Sequence, residues 1–325
     1  MDRTHALLAR LADGNWHSGE TLARAMGVSR TAVWKHIRQL RRDGLEFEAS
    51  QGQGYRLRLP FEPLSAEGIN AELGVNGCVF AGMVEVAFRV DSTNTELLQG
   101  LRRQAAPRAL LAELQQAGRG RRGRSWTAVY GGSLCLSARW SFAEPVAGLS
   151  GLSLAAGLSV ADALEQQFEI PTTLKWPNDV MLNDRKVGGI LVELAGDPLG
   201  PCEVVIGLGL NLALPTAVRD GIEQPITDIR SESGILPDRN DLAVAVLTGL
   251  AEDLRVFEQQ GFDAFRERWK TRDALRNRPV RLDLGDVSRQ GVARGVDAQG
   301  RLLVDDAEGR SAWASGDVSV RASRA

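Results

Sequence analysis

Cysteine and histidine are scarce in this 325-residue chain, and their placement narrows its chemistry. Cys78, Cys135 and Cys202 are far apart, odd in number and outside any C-x-x-C pattern. That disfavours a disulfide framework and a zinc site, and points to a reducing compartment. His5, His17 and His36 all precede residue 60, so the rest of the chain holds no Ser-His-Asp or Cys-His nucleophile system and no histidine-ligated metal. Chemistry there must rest on Lys, Arg, carboxylates and backbone. Residues 1–20 lack the apolar core of a signal peptide, and no run approaches the roughly twenty apolar residues of a membrane helix. The expectation is a cytoplasmic protein with no membrane partner. Charge of one sign is also lacking: a net charge of −2 and a pI near 6.0 give no whole-chain signature of nucleic-acid binding. Any such activity must sit in a local patch.

What is present begins with enough apolar residues, 43%, to bury cores in two or three domains. Ala6, Leu7, Leu8 and Leu11 share one helical face before Gly14 breaks the pattern. Ser18 is placed to cap a second helix, Glu20–Met26, and Ser29 a third. In the third, Val33, Ile37 and Leu40 recur at packing positions, and Ser29, Arg30, Thr31, Lys35 and Arg38 occupy other faces, as in a DNA-reading helix. Trp34 is read as a packing residue. Two short strands, Leu45–Ala49 and Tyr55–Leu59, follow as a hairpin wing. Residues 1–60 carry ten Lys/Arg against six Asp/Glu, so a basic patch is local to this winged helix-turn-helix. Pro60–Pro63 reads as a linker.

After it, Ala66–Leu73 reads as a helix and Val84–Val90 as a strand that runs into Asp91-Ser92-Thr93-Asn94 at a helix start. A strand over Leu110–Gln116 leads into Q-Q-A-G-R-G-R-R-G-R-S-W, residues 115–126, where Arg119, Arg121, Arg122 and Arg124 are threaded between Gly118, Gly120 and Gly123. Glycine lets backbone approach a ligand closely, and arginine offers planar donor forks to phosphate or carboxylate, so this loop suits a polyanion. The glycines satisfy G-x-G-x-x-G, but no apolar helical face follows Gly123, which argues against the dinucleotide turn.

Gly132–Ser141 resumes strand character, Leu149–Phe168 reads as a long buried helix, and strands dominate from Thr173 to Asn211. Lys175, Asn178, Asp179, Lys186 and Asn211 cluster at strand ends and turns, where ligand-handling groups sit on rigid scaffolds. Gly188, Gly189, Gly207 and Gly209 lie in strands, which marks close approach of a ligand or backbone. Residues 240–270 read as helical, with Leu242, Val246, Leu250 and Leu254 on one face. Short strands separated by Gly-Asp and Gln-Gly turns between Arg278 and Arg321 suggest a small barrel.

S-T-N at Ser92, G-R-G-R-R-G at Gly118, K-W-P-N-D at Lys175, D-R-K-V-G-G-I-L-V-E at Asp184 and I-G-L-G-L-N at Ile206 together resemble the biotin protein ligases that double as biotin operon repressors. The resemblance spans nearly the whole chain. It implies an α/β multidomain fold: a winged helix-turn-helix over 1–60, an α+β ligase domain with a mixed sheet over 64–270, and an SH3-like β-barrel over 275–325. It implies activation of biotin by MgATP to biotinyl-5′-adenylate, then transfer to a lysine of the biotin carboxyl carrier protein of acetyl-CoA carboxylase. Lys186, Arg119 and Arg121 would be catalytic. Ser92, Thr93, Asn94, Gln115, Gly118, Gly120 and Gly189 would join them around biotin, and Trp126, Lys175, Asn178 and Asn211 would meet the nucleotide with Arg121. Asp179 would hold magnesium. Operator DNA and a ligand-promoted homodimer complete the implied partners. A lipoate ligase and a ligand-sensing repressor without ligase activity are the competing readings.

Overall fold

The computed structural model describes residues 3–100, 108–142, 150–196, 202–222, 225–284, 287–314 and 319–322. Leu149, the expected start of the long helix, the Gly285-Asp286 turn and residues 315–318 lie outside them.

Apolar periodicity and caps build the first unit. α1 (Arg3–Leu11), α2 (Gly19–Met26) and α3 (Arg30–Arg42) precede a hairpin of β1 (Phe47–Ser50) and β2 (Gly54–Leu57). The Ser18 and Ser29 hydroxyls accept from the Thr21 and Ala32 amides, caps worth about 1 kcal/mol each. Gly27 ends α2 in the left-handed region, φ 65°, where a missing Cβ removes the steric cost.

The core of this unit continues into its neighbour. Phe88, Leu114 and Tyr130 of the central domain share one apolar cluster with Leu7, Leu8, Leu40 and Leu57. His5 stacks on Phe88 with ring centroids 5.0 Å apart, and Asp43, the cap of α3, forms an ion pair with Arg89. The link at 60–63 is pinned. The Phe61 amide donates to Ala12 O at 3.1 Å, Arg239 donates to Glu62 O at 2.7 Å, and Asn240 donates to Pro63 O at 3.1 Å.

α4 (Ala66–Val75), β3 (Val84–Val90), α5 (Thr93–Gly100) and β4 (Arg108–Gln115) open the central domain. A two-residue hairpin, β5 (Gly118–Arg119) and β6 (Ser125–Trp126), holds the arginine loop, and β7 (Ser133–Phe142), α6 (Ser150–Phe168), β8 (Thr173–Lys175), β9 (Asp179–Leu182), β10 (Arg185–Gly196) and β11 (Cys202–Asn211) follow. Seven strands form one mixed sheet in the order β3-β4-β7-β11-β10-β9-β8, with β3 and β4 parallel and the other neighbours antiparallel. Strand alternation sends Leu111, Val204 and Ile206 to the main core and Leu110 and Val205 to a smaller one beneath Leu97 of α5. α7 (Thr216–Asp220), α8 (Ile229–Ser233), α9 (Arg239–Gln260) and α10 (Arg266–Arg272) complete the domain. The helix expected over 240–270 is interrupted, because Gly261 takes φ 64° and caps α9 before a tight turn at Phe262–Phe265.

The C-terminal strands are β12 (Pro279–Leu284), β13 (Val287–Val296), β14 (Leu302–Asp306), β15 (Gly309–Trp313) and β16 (Ser319–Ala322), antiparallel in the order β15-β14-β13-β12-β16. The expected barrel is not closed, since β15 and β16 are unpaired edges among the described residues. Its apolar face has another partner. Val280, Leu282, Ala293, Leu302 and Val304 belong to the same core as α6 and α9, and the buried Trp176 indole donates to Gly300 O at 3.0 Å. A sheet that buries its face on a neighbour has no need to roll onto itself.

Glu113 of β4 forms an ion pair with Arg239 of α9, 2.7 Å long with side chains 1% and 3% exposed, and also accepts from the Leu64 amide just after the linker. Replacing Glu113 by Gln leaves Arg239 charged and buried, which is expected to cost about 3–5 kcal/mol. Urea unfolding followed by circular dichroism checks this; an unchanged midpoint would refute it.

Candidate active site

The ligand-facing end of the sheet is assembled from five separate stretches. β3 delivers Ser92, Thr93 and Asn94 to the first turn of α5, all about 3% exposed. Ser92 acts as the cap: its carbonyl accepts from Glu96 N at 3.0 Å, and its hydroxyl faces Thr95 N at 3.5 Å. Gln115, at the end of the parallel neighbour β4, accepts through Oε1 from the Thr93 amide at 2.8 Å and lies 3.0 Å from the Thr93 hydroxyl. This sets the Gln115 side chain, turning its NH2 toward Gly118. Ser137 of β7 joins the group, 2.6 Å from Thr93 Oγ1 and 2.5 Å from Asn94 Oδ1. Asn94 Oδ1 can only accept, so Ser137 donates to it. Thr93 then has one proton to share between Gln115 and Ser137.

Asn94 is wholly engaged within the protein, since its NH2 donates to Leu191 O at 3.2 Å and to Glu193 Oε2 at 2.8 Å. These bonds brace the first turn of α5 against β10. Ser137 and Glu193 were not singled out from sequence. Ser137 is legible as a lone hydroxyl within the buried run L-C-L-S-A, and Glu193 closes the D-R-K-V-G-G-I-L-V-E motif, though neither position announces its contact with Asn94.

The arginine loop lies across this turn. Gly118 pairs with Trp126 and Arg119 with Ser125, and a Cβ on Gly118 would stand 2.5 Å from Trp126 O. Arg119 forms an ion pair with Glu193, whereas Arg121 reaches across to Asn178 Oδ1 at 3.4 Å. Burial and then the neighbouring Arg122 lower the Arg121 pKa from its usual value; Asp179 opposes the shift and Arg124 adds to it. A half-buried guanidinium crowded by like charge is stabilised by an incoming anion. The strand glycines prove to make room for side chains of the site. A Cβ on Gly207 would collide with the Asn94 amide, and one on Gly209 with the Trp126 ring. Cys135 lies beneath Trp126 and Gln115, and burial pushes its thiol up to about 12, which leaves it inert.

Lys186 and Asp179 come together through the β9–β10 pairing and form an ion pair. A Cβ on Gly189 would stand 3.3 Å from Lys186 Nζ, so that glycine gives the ammonium its space. Asn178 donates to Ile190 O at 2.7 Å, and Lys175 is in register with Asp179 across the β8–β9 turn. Asn211, 3% exposed at the end of β11, donates to Thr227 O at 3.1 Å. Lys175, Asn178, Asp179 and Lys186 thus share one corner with Arg121, and Asn211 stands at the end of the next strand. Among the described residues no group of three His, Cys, Asp or Glu side chains is arranged to hold a metal.

The second candidate surface is on the winged helix. Ser29, Arg30, Thr31, Lys35 and Arg38 are all exposed. Arg30 and Thr31 line a groove of about 740 Å³ together with Trp34, Gln51 and Tyr55. Trp34 is not a packing residue: it is 48% exposed, with Arg38 held 5.5 Å from its ring centroid. Val33 and Ile37 already fill the core side of α3, leaving the indole on the groove side.

Family comparisons agree with this arrangement. Residues 86–211 match the model of the biotin/lipoate A/B protein ligase family, residues 3–56 that of an HTH domain, and residues 277–321 that of the biotin protein ligase C-terminal domain. The bifunctional ligase/repressor BirA of Salmonella typhimurium is 40% identical over 97% of this chain and 96% of its own length. The biotin–[acetyl-CoA-carboxylase] ligase of Mycobacterium tuberculosis is 34% identical over 72% of this chain and 88% of its own. Among solved structures, the biotin protein ligase of Aquifex aeolicus in complex with biotin and ATP superposes with a TM-score of 0.64 at 32% identity, covering 74% of this chain and 99% of that one. By sequence over nearly its full length, the chain belongs to the biotin/lipoate protein ligase family, among members that carry an N-terminal helix-turn-helix domain.

Proposed function

We propose that this protein is a biotin protein ligase that also acts as a ligand-responsive transcriptional repressor. The biotin carboxylate attacks the α-phosphorus of ATP, giving biotinyl-5′-adenylate and pyrophosphate. The acyl group then passes to a lysine amine of a biotin carboxyl carrier protein, releasing AMP. The observation that carries this reading is the convergence of Arg121 and Lys186, from separate elements, on the adjacent residues Asn178 and Asp179, on the same sheet whose β4 carries Gln115 of the Thr93–Gln115 pair. Bringing a carboxylate to a phosphate needs positioning and neutralised charge, which guanidinium and ammonium groups supply without histidine.

In this assignment Ser92, Thr93 and Gln115 hold the biotin rings, and Gly118, Arg119, Gly120 and Arg121 close over the ligand. Lys186, given room by Gly189, meets the reacting oxygens. Trp126 stacks on adenine, while Lys175, Asn178 and Asn211 serve the nucleotide. A single carboxylate, Asp179, fits magnesium, which commonly takes one or two protein carboxylates beside substrate phosphates. The names of the ligase/repressor relatives and of the biotin- and ATP-bound Aquifex protein favour biotin over lipoate. The units 1–60, 64–270 and 275–325 divide reading of DNA from ligation.

Exchange of labelled pyrophosphate into ATP is expected with biotin and not with lipoate. Lys186→Ala is expected to lower the exchange by about 10²- to 10³-fold with little change in thermal midpoint. Exchange supported only by lipoate would overturn the substrate, and full exchange by the variant would overturn the site.

For DNA, one winged helix covers one half-site, so the repressor state is a two-fold dimer promoted by the adenylate. Biotin with MgATP is expected to raise the sedimentation coefficient and to tighten binding to duplexes selected from a random pool. Arg38→Ala is expected to reduce the salt slope of that binding by about one. Ligand-independent sedimentation would refute the coupling.

A further inference from the structure

Asp43 stands where a helix disfavours it. The last turn of α3 carries Arg41 and Arg42, cations that suit the negative end of a helix, and the cap that follows them is a carboxylate. Solvent does not explain its place either, because the Asp43 side chain is only 10% exposed. Its partner comes from the other unit. Arg89 of β3 donates to Asp43 Oδ2, while Gln39, one turn back on α3, donates to Oδ1 at 3.0 Å. The carboxylate is thus oriented on the helix side before it meets the guanidinium. On the sheet side Arg89 lies in register with Leu114 of β4, and its guanidinium rests 5.8 Å from the Phe88 ring centroid. Around the pair the joint is apolar: Phe88 and Leu114 share a cluster with Leu7 and Leu8.

We propose that Asp43 and Arg89 are positioning residues that set the angle of the reading helix α3 against the ligase domain, and with it the spacing of half-sites that a two-fold dimer accepts. Apolar burial holds two surfaces together but has no direction, so by itself it tolerates sliding and rotation. A charge-assisted hydrogen bond has both direction and a short range. Placed at the cap of α3, it fixes one end of the helix that carries Arg30, Thr31 and Arg38, and Arg38 is only about one and a half turns away. In a dimer each reading helix is carried on its own ligase domain, so the angle at this joint decides the separation and phase of the pair of helices. Two heads held at a fixed separation act on DNA as a bivalent ligand whose effective concentration is highest when that separation matches the site. The assignment rests on the repressor reading for its DNA test alone.

The full-length protein offers two readouts. The first needs neither DNA nor ligand: nitroxide labels on Arg24→Cys of α2 and Lys270→Cys of α10, in a Cys78→Ser background that leaves only the buried Cys135 and Cys202, report the angle between the units by electron–electron double resonance. Arg89→Gln, Asp43→Asn and the double variant are expected to widen the distance distribution to the same extent, because the two residues act as one unit. The double variant leaves no unpaired charge in the joint, which keeps the test decisive should either single variant fold poorly. The second readout uses a duplex selected from a random pool by the wild-type protein with biotin and MgATP. One base pair added between its half-sites shifts them by about 3.4 Å and about a tenth of a turn, and is expected to weaken wild-type binding by roughly tenfold. In the double variant, binding to the selected duplex is expected to fall by roughly tenfold and the added base pair to weaken it by less than a further factor of about three. A general loss of stability would lower binding to both duplexes alike, whereas a loosened joint shrinks the difference between them. A wild-type distance distribution or a wild-type spacing penalty in the double variant would overturn the assignment. If the wild-type protein selects no duplex, the repressor reading fails, and the label distances still decide the role of Asp43 and Arg89.

Discussion

The antiparallel register of β10 against β11 is the constraint on which the ligand-facing side depends. It sets Gly189 opposite Gly209 and Leu191 opposite Gly207, so a patch of sheet stripped of side chains lies under the loops. Lys186, Asn94 and Trp126 occupy that space. Because side chains alternate along a strand, a slip of one residue would turn Glu193 into the α6–α9 core and aim Val192 at the loop. The register is held by the other face, where Val187, Ile190, Val204 and Ile206 are all buried in the main core. Core packing on one side of the sheet therefore fixes the chemistry on the other.

The strands that carry ligand residues also carry the joints to the DNA-facing unit. β3 holds Arg89, paired with Asp43 of the reading helix, and then runs directly into Ser92 and Thr93. β4 holds Glu113, which pins the linker, two residues before Gln115. A period of two puts these residues on one face of the strand, so linker and pocket share a rigid support. The winged helix is consequently docked, with Phe88 and Tyr130 inside its core.

The site works by charge placed on backbone that glycine makes pliable, and its cations are balanced in unequal ways. Arg119 and Lys186 each have a carboxylate partner on a neighbouring strand or loop, while Arg121 is crowded by Arg122 and Arg124. Such an arrangement ties Arg119 to the sheet and gathers like charge around Arg121. Histidine is absent from this region, and its three copies do structural work around the winged helix. His5 stacks on Phe88, His17 meets Asp13, and His36 lies 3.0 Å from Thr4.

Local chemistry made much of this readable from sequence alone. Serine caps, helical periodicity and the strand-loop-strand setting of the arginines depend on neighbours in the chain, and so the winged helix, the central strands and the cluster at Lys175–Lys186 were all legible. Family motifs supplied the roles expected of Thr93, Gln115 and Lys186. Tertiary structure decided the rest. The face on which Trp34 lies depends on how α3 packs, the barrel stays open because its apolar face is claimed by α6 and α9, and the 60–63 link is held by Arg239 and Asn240 from far along the chain. Glu193 and Ser137 gained meaning only when strands distant in sequence brought them to Asn94. A contact between residues that are remote in the chain leaves no periodic trace, and so only the folded sheet could show it.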